Sequence, residues 1–422
     1  MASLANFFSQ MFSKNENIPE AELIKKPGTG NLKPDINAHK PDQAWSKLKN
    51  QQNMANVASL KPGMPMREDR IRFVCISDTH AQLERGAPLE IPQGDVLIHA
   101  GDLTMSGEPR EVAIVNKYLG TLPHKHKIVI AGNHDMTFDS EFMANKHKSR
   151  FFTFDSNDSY QQDLAKYGVK HIQNMLSNCT YIEDSMVQIY GINIYGSPWT
   201  VGSGSWGFQR ARGSGIVSIW NQIPTNTDIL ITHMPPLGYG DSVQGTLSVA
   251  RLKPLFGIPP MGLKDHVGCV DLLRTVQSRV KPTLHVYGHI HEGYGMRTDG
   301  TTTFVNASMC TLKYRPINPP LVFDFPLPPG VTKQDFMDSP LKWVIPTECG
   351  EDYELVGENE AEGRCGDIDN RVDKNTKGAG ESYDDNNVEF VDEDKATGAE
   401  GSVDNSDCDV DEADAAGREC SQ

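Results

Sequence analysis

Cysteine clusters, long apolar runs and a surplus of basic residues are all missing from this 422-residue chain. Its eight cysteines (Cys75, Cys179, Cys269, Cys310, Cys349, Cys365, Cys408, Cys420) include no CxxC pair. That scatter excludes a small secreted scaffold stapled by disulfides. No apolar run approaches the roughly 20 residues that cross a bilayer, and 37 Gly with 26 Pro show no repeat period, which excludes collagen-like and coiled-coil chains. The first 20 residues lack a basic n-region, an unbroken apolar stretch and a small-residue cleavage site, so the expected location is cytoplasmic, with the nucleus as alternative. Net charge is −16, but residues 351–422 hold 24 Asp and Glu against 6 Lys and Arg, leaving 34 basic against 32 acidic residues before them. A near-neutral body offers no broad surface for phosphate backbones, so no nucleic-acid partner is expected.

What is present falls into three regions. Residues 1–70 are rich in Lys, Asn, Pro and Gln, with breakers at Pro27-Gly28, Pro62-Gly63 and Pro65; they read as an irregular N-terminal arm with at most one short helix near 44–52. Residues 71–346 carry short β-branched runs that end in loops: IRFVCIS (71–77), DVLIHA (95–100), KIVIAG (127–132), INIYGS (192–197), DILIT (228–232), TLHVYG (283–288) and TTFVN (302–306). Such continuous apolar strands predict sheets covered on both faces. Helices predicted at 111–119, 159–167 and 265–280 make this an α/β layered domain. Residues 347–422 lose the strands, contain no tryptophan and become rich in Gly, Asn, Asp and Glu, the composition of an acidic disordered tail.

Nearly every predicted strand runs directly into residue types that bind metal. IRFVCIS leads to Asp78-Thr79-His80, DVLIHA to Gly101-Asp102, KIVIAG to Asn133-His134-Asp135, DILIT to His233, and TLHVYG to His289-Ile290-His291. The crevice of an open α/β sheet lies outside the carboxyl ends of its strands, so these side chains should converge across more than 200 positions of sequence. A lone DTH or GD is a common turn, but GNHD packs two donors and an acid into three positions, and GHIH sets two imidazoles on the same side of an extended segment. The donors are two aspartates, one asparagine and four histidines, without cysteine. Oxygen and imidazole suit Mn, Fe, Zn or Ni, and seven donors exceed what one tetrahedral ion can use, so two ions are implied. A shared carboxylate would hold them roughly 3.5 to 4 Å apart, where both can grip a phosphoryl group. His99 and His285 lie inside apolar strands and read as core residues, while His124, His126 and His147 read as surface residues beside lysines. The aromatics Tyr195, Trp199, Trp206 and Phe208 could stack on a base or pack against their own domain.

In order, the blocks DTH, GDLT, GNHD, THMPP and GHIH resemble the calcineurin-like metallophosphoesterase superfamily over residues 71–325. The segments RFVCISDTH, KIVIAGNHD, YGSPWT, SWGF, VGCVDLL and GHIHEGYG are similar to the animal metallophosphoesterase-domain-containing group, placed with class III cyclic nucleotide phosphodiesterases. The resemblance implies a four-layer α/β/β/α sandwich with a dinuclear site at the strand ends. Asp78, His80 and His291 would bind the first metal, Asn133, His233 and His289 the second, and Asp102 would bridge both. His134 would stand over the leaving group as general acid or charge-stabilising donor, with Asp135 fixing its tautomer. The cofactor implied is a pair of divalent ions, Mn foremost, with Fe, Zn, Ni or Mg as alternatives. The implied reaction is hydrolysis of phosphodiesters, cyclic nucleotides foremost, by a metal-bridging hydroxide. The expected partner is thus a small-molecule phosphodiester or nucleotide, with no membrane, and with a basic protein as candidate partner for the acidic tail. Some members of the animal group carry Gly at the first histidine of GHxH, whereas His289 is present here. Ser/Thr phosphoprotein phosphatases carry GDxVDRG and GNHE, where this chain reads GDLTMSG and GNHD; the missing arginine clamp favours a diester. The competing readings are a nucleotide-binding or scaffold protein with vestigial activity, and a nuclease, which the neutral body disfavours.

Overall fold

In the computed structural model the described residues are 30–82, 90–145, 157–244, 264–336, 339–346 and 353–356. In chain order the strands are β1 (Ala55–Val57), β2 (Arg70–Ile76), β3 (Val96–Ala100), β4 (His126–Ile130), β5 (Thr180–Tyr181), β6 (Ser185–Ile189), β7 (Ile192–Ser197), β8 (Thr200–Val201) and β9 (Gln209–Arg210). They continue as β10 (Ile229–Thr232), β11 (Ser242–Gln244), β12 (Lys264–His266), β13 (Leu284–Tyr287), β14 (Gly295–Thr298), β15 (Thr303–Asn306), β16 (Leu321–Pro326), β17 (Lys342–Pro346) and β18 (Tyr353–Val356). One sheet has the order β16-β2-β3-β4-β5 and a larger one β1-β14-β15-β13-β10-β7-β6-β17-β18. Both are mixed: β2, β3, β4 and β5 run parallel with β16 antiparallel at the edge, and β7, β10, β13 and β15 run parallel in the centre of the larger sheet.

Alternation along the strands builds the layers. Ile71, Phe73 and Cys75 of β2, with Ile98 of β3 and Ile128 and Ile130 of β4, join Ile194, Ile229, Ile231, Leu284 and Val286 of the other sheet in one buried cluster. Val74, Ile76 and Leu97 point the other way, into a second cluster with Val112, Val115 and Leu119 of the helix Pro109–Thr121, while Ile216 and Trp220 of Ser214–Trp220 and Leu272 of Val270–Arg274 join Leu230 there. The result is the α/β sandwich expected, with each sheet apolar on both faces because each is covered on both. The helix Pro109–Thr121 starts where Pro109 supplies a preset φ and Glu108 and Glu111 close a capping box. Truncating a central residue such as Ile98, fully buried, should cost about 2–5 kcal/mol, read as a lower urea midpoint.

Several local expectations need correction. Within residues 30–57 the expected short helix is present, as Pro41–Leu48 followed by a 3-10 turn, Lys49–Gln51, but the segment is fastened to the domain rather than irregular: Asp35 N–H donates to Asp271 Oδ1 at 2.7 Å, Asp42 Oδ1 accepts from His266 N–H at 2.8 Å, and β1 pairs with β14. The larger sheet also continues past Pro346, since β18 pairs with β17. Residues 264–266 form β12 rather than the start of the helix, which runs Val270–Arg274 and then makes a π-helical turn, Thr275–Val280. His124 is not a surface residue but buried, its Nε2 3.1 Å from the Pro92 carbonyl. The expectation of a disordered tail over residues 357–422, the first 29 residues and His147 lie outside the described residues. Among the described residues, no helix is long and apolar enough to cross a membrane.

Candidate metal centre

The parallel strands of both sheets end on one side, and there the sequence-predicted donors meet. Asp78 and His80 follow β2, Asp102 follows β3, Asn133 and His134 follow β4, His233 follows β10, and His289 and His291 follow β13. The loops are tied to each other across the strand ends: Asp78 N–H donates to Gly101 O at 3.0 Å, His80 N–H to Asp102 O at 3.1 Å, and Gly288 N–H to His233 O at 3.2 Å. The backbone is bent to achieve this. Asp78, His80, Asp102 and His289 have φ of 52°, 47°, 52° and 69°, a left-handed region that costs a non-glycine residue on the order of 1–3 kcal/mol and persists where surrounding contacts enforce it. The glycines of the GN and GH blocks have a steric reason. A Cβ at Gly132 would strike the Asp102 carboxylate and stand 2.8 Å from His233 Cε1, and one at Gly288 would strike Asp78 Oδ2 and Ser77 Oγ. Gly132→Ala should therefore lower metal affinity at least tenfold, measured by competition with a chromogenic chelator, with the fold retained.

Hydrogen bonds fix which nitrogen each imidazole presents. The Nδ1 of His80 lies 3.2 Å from Thr104 O, that of His233 2.9 Å from Ala100 O, and that of His291 3.0 Å from Thr311 O. A carbonyl can only accept, so each Nδ1 carries the proton and each Nε2 offers a lone pair inward. The Nε2 atoms converge with the carboxylates: His291 lies 3.3 Å from Asp78 Oδ1, His233 3.2 Å from Asp102 Oδ2 and 3.1 Å from Asn133 Oδ1, and His80 3.8 Å from Asp102 Oδ2. Donor atoms of Asp78, His80 and His291 lie within 4.8 Å of one another, as do those of Asp102, His233 and His289, and those of His80, Asp102 and His134. His80 and His291 set their Nε2 atoms 3.3 Å apart. Two lone pairs repel at that distance unless a proton or a cation stands between them, so the donor set fits divalent metal. Asp78 is further oriented by Ser308 Oγ–H at 2.8 Å and His289 N–H at 3.0 Å.

The charges of the site set the protonation of its imidazoles. Burial disfavours the His233 imidazolium, but the Asp102 carboxylate outweighs it and raises the group to about 9. Burial is likewise overcome at His291 by its bond to Asp78, raising it to about 8. Burial holds His80 down, to about 3. Asp102 is held well below the carboxylate range, the surrounding histidines overcoming burial. A histidine raised above its unfolded value near 6.5 contributes stability that is complete below that pH and is lost as pH climbs through 8 and 9. Metal must expel the same protons. At pH 7 metal binding should release about two protons, falling toward zero above pH 9, as read by calorimetry in buffers of different ionisation enthalpy. No release at pH 7 would contradict this.

Asp135 requires a correction. It does not hold the His134 ring; His134 Nδ1 instead lies 2.8 Å from Met105 O. The fully buried Asp135 carboxylate accepts from Leu103 N–H, Thr104 N–H, Thr104 Oγ1–H and Gly132 N–H at 2.7–3.0 Å, joining the loop after β3 to the loop after β4. Burial and the nearby Asp102 charge push it up to about 7. Among the aromatics, Tyr195 and Phe208 are core residues, and Trp199 is buried, donating to Asp184 at 2.6 Å with Arg210 over its ring. Trp206 reaches the site, its ring 4.4 Å from that of His134. Tyr314, which no motif marks, lies 4.8 Å from the His80 ring. His99 and His285 are core residues as expected, each bonded through Nε2 to a threonine hydroxyl, Thr79 and Thr232, at 2.8 Å.

A sandwich with aspartates, histidines and an asparagine gathered at its strand ends defines a metal-dependent hydrolase, and the comparisons give its class. The family model for calcineurin-like phosphoesterases matches residues 71–293, and the chain belongs to that family. It is 50% identical over 257 residues to metallophosphoesterase domain-containing protein 1 of Homo sapiens, covering 61% of this chain and 72% of that one. Two UPF0046 proteins of Caenorhabditis elegans are 42% and 38% identical over 302 residues, covering 70% and 71% of this chain and 95% and 71% of theirs. The protein is thus a metal-dependent phosphoesterase, similar to the animal metallophosphoesterase-domain proteins.

Proposed function

We propose that the protein is a phosphodiesterase that hydrolyses cyclic nucleotides at a two-metal centre, with Mn²⁺ as the favoured ion. The observation that carries this reading is the sharing of Asp102 between neighbouring donor groups, with His134 beside them and its Nδ1 held by Met105 O. Asp78, His80 and His291 would hold one ion and Asn133, His233 and His289 the other, with Asp102 common to both. Two divalent ions, when bound, supply positive charge to the phosphoryl oxygens and make water nucleophilic near neutral pH. Mixed carboxylate, amide and imidazole donors suit Mn²⁺.

The remaining steps belong to the chain. The Met105 carbonyl fixes one nitrogen of His134, so Nε2 is the atom that can give a proton to the departing ribose oxygen. The Asp102 carboxylate also accepts the His134 backbone N–H at 2.9 Å, which fixes His134 relative to the donors. After Asp102 the chain reads Leu103-Thr104-Met105, without the arginine that clamps a dianionic monoester, and a singly charged diester needs less cationic support.

The test is a panel of 3′,5′- and 2′,3′-cyclic nucleotides with metal-loaded protein, beside p-nitrophenyl phosphate. At least tenfold higher kcat/KM for one cyclic nucleotide than for the monoester is expected. A monoester preference would overturn the proposal.

A further inference from the structure

We infer that Trp206 and Tyr314 are the base-recognition residues of this site, forming two aromatic walls beside His134 that select diesters carrying a planar ring. The inference rests on the phosphodiesterase reading above and adds what the enzyme recognises beyond the phosphate. The rings border the site: Trp206 lies 4.4 Å from the His134 ring at 41°, and Tyr314 lies 4.8 Å from His80, 6.1 Å from His134 and 6.0 Å from His291, close to edge-on in each of its three contacts. Neither ring sits in the core. Tyr314 is 37% exposed and Trp206 is half-buried.

Both are presented by segments that also hold site residues. Gly207 N–H donates to Asn133 O at 3.1 Å, and Gln209 Oε1 accepts from Gly204 N–H and Trp206 N–H at 2.9 and 3.3 Å, so the Trp206 loop is pinned to a candidate ligand. Thr311 O accepts from His291 Nδ1 and also from Tyr314 N–H at 2.8 Å, while Thr311 N–H donates to Arg315 O at 2.9 Å. The turn that orients His291 therefore aims Tyr314. Its φ of 53° is unfavourable for a bulky aromatic, a strain that marks enforced presentation. A nucleobase has the flat face that such rings stack upon, whereas an alkyl alcohol does not.

The test has a kinetic and a binding arm with Mn²⁺-loaded protein. In the first, kcat/KM is compared for the best cyclic nucleotide and for glycerophosphocholine, a diester without a planar ring. Trp206→Ala and Tyr314→Ala should lower the ratio of the two at least tenfold, mainly through KM, and Trp206→Phe and Tyr314→Phe should restore most of it. In the second, the wild type should bind AMP at least tenfold tighter than ribose 5-phosphate, about 1.4 kcal/mol, and the alanine variants should lose that preference. Equal loss on both substrates, or equal affinity for AMP and ribose 5-phosphate in the wild type, overturns the inference. Turnover of no diester would instead overturn the phosphodiesterase reading, and the AMP comparison would still decide the role of the two rings.

Discussion

His134→Ala is expected to lower kcat on a cyclic nucleotide by about 10²- to 10⁴-fold, the usual size of a general-acid contribution, with metal content equal to wild type. The expectation follows from how the ring is held. Its Nδ1 is occupied by Met105 O at 2.8 Å, and its backbone N–H by Asp102 Oδ1 at 2.9 Å, so one nitrogen remains for a leaving group. The loss should shrink on a substrate with a good leaving group, such as bis(p-nitrophenyl) phosphate, because p-nitrophenolate departs without a proton. His134 also lies within 4.8 Å of donor atoms of His80 and Asp102, so metal analysis is the discriminating measurement. A variant that loses metal in proportion to activity would make His134 a ligand.

Asp102→Asn should have the larger effect, removing both activity and metal. An outer-sphere change typically costs about 10–100-fold in metal affinity; losing the shared carboxylate should exceed that. The amide keeps an oxygen for the His134 N–H, so the loops after β3 and β4 retain their tie. What disappears is the negative charge that outweighs burial in raising His233 to about 9. In the variant that imidazole should titrate lower. Retained metal at wild-type affinity would show that Asp102 is not a ligand.

The frame of the molecule was legible because its central strands are buried on both faces and so appear as unbroken apolar runs. Predicted strands at 71–77, 192–197 and 228–232 compare with Arg70–Ile76, Ile192–Ser197 and Ile229–Thr232. Among the strands that escaped, β6, β16 and β17 join antiparallel at or near edges, where polar residues such as Gln188 and Asp324 interrupt the pattern. The donors were legible for the same reason as the frame, each standing directly after a readable strand. The partners of the imidazoles were not. Met105, Thr104, Ala100 and Thr311 act through backbone carbonyls, which every residue carries, so no side-chain signal marks them. Asp135 beside His134 suggested a carboxylate–imidazole pair, but the turn directs it to three donors on the loop after β3 and to Gly132 N–H of its own turn instead. Tyr314 lies in a loop outside every block, and only its conformation and its place over His80 set it apart.

The most direct test is hydrolysis of bis(p-nitrophenyl) phosphate by protein stripped of metal and then titrated with Mn²⁺, with Asp102→Asn run in parallel. The account predicts negligible turnover without metal, activity that rises and saturates with Mn²⁺ in the wild type, and none in the variant at any concentration. Turnover by the stripped protein, or equal Mn²⁺-dependent activity in the variant, would contradict a phosphodiesterase built on these strand-end aspartates and histidines.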